Sequence, residues 1–278
     1  MTQFDLQYQK ILKDIMNSGY EEINERTNHK VKILPGKTIE IEPEDGFPIL
    51  TLRKIPVKIF VAEQIWFLMG SRRPSEFLDQ FTKIWDDFTN VDGVVSTAYG
   101  YRWRHHFGRD QIALLIKMLE KEPSSRHGVV MMWDPANDGL SATFKKANIP
   151  CPYTFTVNII RGKLHLHLIV RSNDMILGCP HDAAGFGLLQ RILAARLGVK
   201  VGKYTHSISN AHIYGVHYEA AKEIIKRKNT HKKINLEAEV NWFERAEKGD
   251  VSLVSEIVDQ INSQYKAMEA IKGLQIVL

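Results

Sequence analysis

A cysteine between two prolines, in Ile149-Pro150-Cys151-Pro152, is the first group in this chain with the makings of a nucleophile. A thiol in a turn that leads into a strand can be exposed and held, and nearby arginines would lower its pKa and enrich the thiolate. The competing reading is a small buried hydrophobe. Cys179, in Leu177-Gly178-Cys179-Pro180, reads that way. Downstream, Arg171-Ser172-Asn173-Asp174-Met175-Ile176-Leu177-Gly178-Cys179-Pro180-His181-Asp182 sets a guanidinium and a hydroxyl ahead of carboxylates. Arg171 and Ser172 follow a strand directly and suit a phosphate, which arginine binds bidentately; a surface ion pair is the bland alternative. Asp182 could accept from the edge of a base. Ala211-His212-Ile213-Tyr214 alternates as a strand does, so His212 and Tyr214 offer two groups to one ligand. Glu63 sits in the strongly apolar Phe60–Met69. A carboxyl there either pairs with an arginine or shifts its pKa upward, as a general acid or base does. Arg26 and Arg126 are basic residues in turn-like settings, each unremarkable alone. His165 and His167 stand two apart on an alternating stretch, but no third metal ligand is evident nearby, so they read as structural or surface groups.

These residues need elements to hold them. Apolar spacing predicts helices over 4–18, 57–69, 74–88, 110–121, 183–198 and 217–228, and a last one over 256–269. Alternation predicts paired strands over 30–55, then strands over 129–133, 153–160, 163–169 and 204–214. Residues 229–255 read as a charged, irregular stretch. No repeat, low-complexity tract or linker interrupts the 278 residues, so one domain, 1–278, is expected.

Composition narrows the function classes. No run of about 18 apolar residues is present, so no transmembrane helix is expected. The polar Met1–Gln7 stretch shows no secretory signal, and two cysteines make no disulfide framework, so a reducing, cytoplasmic setting is expected. The net charge of +5 suits anionic ligands such as nucleotides, polyglutamate or nucleic acid, or simply aids solubility. The basic run 226–233 has no interleaved aromatics and reads as a solvated helix end, which makes nucleic acid an unlikely partner.

Read in order, the pieces resemble the thymidylate synthase family from about Arg26 to Tyr214. The matching segments are Glu25–Thr27, Phe47–Thr51, Glu63–Gly70, Ile84–Asp86, Tyr99–Arg104, Asp110-Gln111, Pro123–Arg126, Pro150-Cys151, Arg171–Gly178 and His212–Tyr214. The resemblance implies an α/β (α+β) three-layer fold, with a large twisted mixed sheet covered by helices. It implies that Cys151 attacks C6 of a pyrimidine nucleotide. Arg26, Arg171 and Ser172 hold its 5′-phosphate, with Arg126 reaching in from the other subunit of a homodimer. His212 and Tyr214 bind the sugar 3′-hydroxyl. Glu63 manages protons through water, and Tyr99 helps remove the C5 proton. Trp85 and Asp174 line the site of the co-substrate, 5,10-methylenetetrahydrofolate. No metal is implied.

The departures from the family point to a branch. Where the synthases carry a uracil-binding Asn, this chain has Asp182. A carboxyl accepts from the 4-amino group of cytosine and, if protonated, donates to N3; facing uracil when ionised, it opposes acceptor to acceptor. Pro152 replaces the His after the nucleophile, Gly185 a Ser, His127 an Arg, Ser209-Asn210 a Gly-Asp, and Phe88 a Trp. The chain is thus similar to the cytidylate 5-hydroxymethylases, which let water, not hydride, complete the transfer to CMP or dCMP. A divergent dUMP-methylating synthase and a non-catalytic RNA-binding relative are the other two readings. Gln275–Leu278 is a candidate tail over the folate, though not a close match.

Overall fold

Strict alternation in Leu164-His165-Leu166-His167-Leu168 sends leucines to one face of a strand and histidines to the other. In the computed structural model, which describes residues 1–141, 149–230 and 232–277, this stretch lies at the centre of a seven-stranded sheet. The strands are β1 (Tyr20–Asn24), β2 (His29–Ile41), β3 (Val129–Met131), β4 (Pro152–Ile160), β5 (Lys163–Val170), β6 (Asn173–Asp174) and β7 (Lys200–Tyr214). Their order is β1-β2-β7-β5-β4-β3, with β6 also on β7. Both β5 and β6 run parallel to β7, and the other pairs are antiparallel. A parallel pair needs a long crossover. Here it is the helix α5 (Gly178–Arg196).

The other helices are α1 (Gln3–Ser18), α2 (Val57–Met69), the single turn α3 (Tyr99–Tyr101), α4 (Gln111–Lys121), α6 (Tyr218–Lys226), α7 (Trp242–Glu247) and α8 (Val251–Asn262). Thr2 and Asp5 cap α1 reciprocally, which satisfies two of its orphan amides. Helices α1, α5 and α6 lie against the sheet, while α2 packs on α5 and carries α7 and α8. Sheet, α5 and α2 make three layers of a mixed α/β arrangement. The expected helical cover is one-sided among the described residues: His165, His167 and Ile169 of β5, with Lys203, Thr205 and Ser207 of β7, remain only half-buried. Buried residues from Phe4 to Ile261 join in one core.

Several boundaries differ from the sequence reading. The helix expected over 74–88 is three 3-10 turns, Pro74–Glu76, Leu78–Gln80 and Asp86–Phe88. Phe77, with φ −155° and ψ −52°, leaves helical geometry, which breaks the helical path while its ring stays buried. The strand pair expected over 30–55 is one strand that ends at Ile41. Beyond Gly46 (φ 91°) the chain is irregular. Its buried amides find side chains instead: Thr51 N donates to Asp5 Oδ1 (2.9 Å) and Ile55 N to the Tyr265 hydroxyl (3.1 Å). The last helix starts at Val251 behind the Asp250 cap, and α7 occupies part of the stretch read as irregular. The basic run 226–233 begins at the end of α6, and its described residues beyond Lys226 have no regular secondary structure; His231 within it lies outside the described residues. Helix α5 starts at Gly178, five residues earlier than expected, because Pro180 is tolerated in a first turn. That extension carries Asp182 onto the helix.

Candidate functional site

Parallel strands end together, so β5 and β7 deliver the residues that follow them to one edge of the sheet. Residue pairing sets Asn173 beside Ala211 and Asp174 beside His212. The start of α5, the middle of α2 and the turn before β4 close around this edge. They enclose a cavity of about 690 Å³. Eleven of the twelve residues singled out from the sequence line it: Arg26, Glu63, Trp85, Tyr99, Cys151, Arg171, Ser172, Asp174, Asp182, His212 and Tyr214. The twelfth, Arg126, is exposed in the turn after α4 and does not line it. The tail residues Ile276 and Val277 reach the cavity; Leu278 lies outside the described residues.

Cys151 is held rather than exposed. Its carbonyl accepts from Arg171 N (2.9 Å). Arg171 Nε donates to Pro150 O (2.8 Å) and Nη2 to Ile149 O (3.0 Å), which clamps the turn. The same Nη2 lies 3.9 Å from the thiol sulfur. The expectation that arginines would lower the thiol pKa is only half met. Burial pushes it up, Arg171 and Arg26 pull it back, Asp182 and Asp174 push it up again, and the net direction is upward. Desolvation of a thiolate outweighs one guanidinium at this distance.

Two carboxyls face the cavity from different helices. Burial raises the pKa of Glu63 to about 8, against a hydrogen bond from Trp85 Nε1 to Glu63 Oε1 (2.7 Å). The indole thus holds an acid as well as lining the cavity. Burial also raises Asp182 to about 7, against a hydrogen bond from Asn173 Nδ2 to Asp182 Oδ2 (2.8 Å). Each acid has one neutral donor, too little to hold it ionised through neutral pH. Tyr99 hydrogen-bonds the backbone of Cys151, and burial raises its pKa well above the usual phenol range.

The polar end is built from strand ends. Ser172 Oγ lies 3.5 Å from His212 Nδ1, and Arg26 hydrogen-bonds Tyr214. Burial lowers the His212 pKa, so a neutral imidazole faces the cavity. Asp174 Oδ1 accepts from Ile176 N (2.8 Å) and its other oxygen lies 4.0 Å from His217 Nδ1. The opposite end is apolar, with Ile59, Ile84, Phe88 and Ile276 around Trp85.

Sequence reasoning missed two features of the walls. Gln64, 2 % exposed, lines the cavity beside Glu63, and its Oε1 has no partner among the described residues. Gly185 makes room for it: a Cβ there would sit 2.9 Å from Gln64 Nε2. Asn173 and His206 were also passed over. Asn173 lies within the Arg171–Gly178 segment, and His206 is marked only by its place on the buried face of β7. Of the remaining departures, Asn210 and Phe88 line the cavity, Pro152 opens β4, and His127 is exposed beside Arg126.

His165 Nδ1 accepts from Lys203 N (3.1 Å) and His167 Nε2 pairs with Ser207 Oγ (2.8 Å), on the sheet face away from the cavity. No described helix is long and apolar enough to cross a membrane. A family model described as thymidylate synthase matches residues 6–271.

Proposed function

The chain belongs to the thymidylate synthase family, and from that premise we propose that it is a cytidylate 5-hydroxymethylase. Membership supports folate-dependent one-carbon transfer to a pyrimidine nucleotide. The proposed reaction joins CMP or dCMP, 5,10-methylenetetrahydrofolate and water to give the 5-hydroxymethyl nucleotide and tetrahydrofolate. The observation that carries the choice of base is Asp182, a carboxyl with its pKa raised to about 7 in the cavity that Cys151 also lines.

In this reading Arg26, Arg171 and Ser172 hold the 5′-phosphate, and His212 and Tyr214 hold the 3′-hydroxyl that both nucleotides share. Asp182 accepts from the 4-amino group and donates to N3. Addition of the Cys151 thiolate to C6 sends charge towards N3, so a proton held there stabilises the transition state more than the ground state. The upward shift of the thiol pKa makes that proton transfer part of the work of the site. Tyr99, beside Cys151, takes part in removal of the C5 proton. 5,10-Methylenetetrahydrofolate supplies the one-carbon unit, and the apolar wall of Ile84, Trp85 and Phe88 next to Asp174 fits a flat heteroaromatic ring with polar edges. Glu63, mostly protonated at neutral pH, relays protons to and from the water that completes the transfer. One catalytic unit over 1–278 and a homodimer go with this reading. The half-buried sheet face is the surface for the partner, whose Arg126 would complete the phosphate cradle.

Product analysis tests it. The protein is incubated with CMP, dCMP or dUMP and methylenetetrahydrofolate. Hydroxymethylcytidylate with tetrahydrofolate is expected, and Asp182→Asn should shift preference towards uridylate by about 10- to 100-fold. Methylation of dUMP with release of dihydrofolate overturns the proposal, as does an Asp182→Asn variant with unchanged base preference.

A further inference from the structure

Asp182 is the outer end of a buried file of side chains. Asn173 Nδ2 donates to Asp182 Oδ2 (2.8 Å), Asn173 Oδ1 lies 3.0 Å from His206 Nε2, and His206 Nδ1 lies 3.1 Å from the Tyr204 hydroxyl. Asn173, His206 and Tyr204 are 2 %, 0 % and 1 % exposed. Each member could in principle donate in either direction, and the inner end breaks the tie.

Tyr204 is a phenol, its pKa raised well above the usual range by burial. Among the described residues the hydroxyl has one hydrogen-bond partner, His206 Nδ1. If Nδ1 carried the proton, the buried phenol hydrogen would have no acceptor, an arrangement that is strongly disfavoured. So Tyr204 donates and Nδ1 accepts. Burial lowers the His206 pKa to about 3, so the ring is neutral and its single proton is on Nε2. That proton goes to Asn173 Oδ1. The amide nitrogen must then face Asp182.

We propose that Asn173 is the positioning residue of the base reader, locked by His206 and Tyr204 so that Asp182 Oδ2 is always an acceptor and Oδ1 alone carries the proton shown to the base. This rests on the cytidylate reading and explains how one carboxyl enforces it. Oδ1 makes no hydrogen bond to the described residues and is not sealed off, on a residue that lines the cavity. Cytosine needs a donor at N3 and an acceptor at its 4-amino group, which Oδ1–H and Oδ2 supply. Uracil needs the reverse, a proton on Oδ2, where the Asn173 N–H already points. Asparagine at 182 reads uracil only by turning its own Nδ2 into the Oδ2 place and giving up the Asn173 hydrogen bond, and Asn173 without its lock could turn over and permit either tautomer of the acid.

Other titratable groups surround Asp182. Beyond burial, the charge of Asp174 on β6 pushes its pKa up, and Asp182 in turn pushes up Glu63 on α2, Tyr99 on α3, Cys151 in the turn before β4, Cys179 on α5 itself and Tyr204 on β7. None supplies a hydrogen bond to it; Asn173 does.

The test compares wild type, Asn173→Ala and Tyr204→Phe. Asn173→Ala should lower the cytidylate-to-uridylate ratio of kcat/KM by about 10- to 100-fold. It should also move the alkaline fall of cytidylate kcat/KM to higher pH, because an N–H donor that favours ionised Asp182 has gone. Tyr204→Phe should change both in the same sense by a few-fold, since only the lock is lost. Histidine ¹⁵N NMR of the whole protein, with His206 assigned by His206→Asn, should show a neutral ring protonated on Nε2 from pH 6 to 8. A proton on Nδ1, or an Asn173→Ala variant with ratio and pH midpoint unmoved, overturns the lock. Wild type that turns over uridylate and not cytidylate, with Nε2 protonated, overturns the cytidylate reading instead. A merely structural Asn173 would lower yield or stability and leave ratio and midpoint in place.

Discussion

Glu63 and Asp182 look into one cavity from two walls, α2 and α5, and differ in what stands behind them. Burial pushes both pKa values up, to about 8 and about 7. Glu63 is met by a single indole N–H that can only donate. Asp182 is met by an amide whose other end is tied through His206 to Tyr204. Burial sets whether an acid is neutral near pH 7; the partners set where its proton can sit. The first wall suits movement of a proton, the second suits holding one in place.

The largest effect should come from removal of the group both walls serve. Cys151→Ala is expected to abolish turnover while nucleotide binding persists, measured by single-turnover assay and titration calorimetry. Turnover near wild type would mean that the walls do not act on an adduct at this sulfur. Next, Glu63→Gln should lower kcat by about 10²- to 10⁴-fold, the usual range for a lost acid or base, with the cytidylate-to-uridylate ratio unchanged. If the ratio shifts as far as with Asp182→Asn, the division between moving and reading is broken.

The smallest effect sharpens the comparison without substrate. Both acids have folded pKa values above the ordinary carboxylate range, so the folded state binds more protons than the unfolded state between about pH 4 and 8. Their contribution is largest below the unfolded value and is lost as pH rises through about 7 for Asp182 and about 8 for Glu63. Urea unfolding should therefore show stability falling by ~1 kcal/mol per pH unit for each acid over this window. Asp182→Asn should remove the part of the slope that ends near pH 7, and Glu63→Gln the part that ends near pH 8. A flat profile in wild type would show that neither acid is desolvated as the cavity implies.

Much of the site was legible before the fold was known. Cys151 between prolines, Arg171-Ser172 after an alternating strand and His212 with Tyr214 on another are local patterns, and all line the cavity. Glu63 was marked by its apolar neighbours. The failures have physical causes of two kinds. The helix expected over 74–88 had suitable apolar spacing, but Phe77, Leu78 and Trp85 reach the core from short 3-10 turns and the bends that join them. The thiol of Cys151 had arginines as expected, but its pKa depends on how much water the fold removes. Arg126 is no such failure: it was expected in the partner subunit's site, and it is exposed and off the cavity of its own chain.

By itself the sequence determined the family, the order of the motifs and the identity of the groups on offer, because periodicity and residue chemistry are local properties. It also determined that residue 182 is a carboxyl where a uracil reader carries an amide. Only the tertiary structure decided which of those groups meet. The side chains of Asn173 and His206 meet from 33 positions apart on neighbouring strands, and the start of α5 sets Asp182 against the same amide. Whether that carboxyl holds its proton, and on which oxygen, follows from desolvation and from donors supplied by distant segments. Neither is a property of any residue alone.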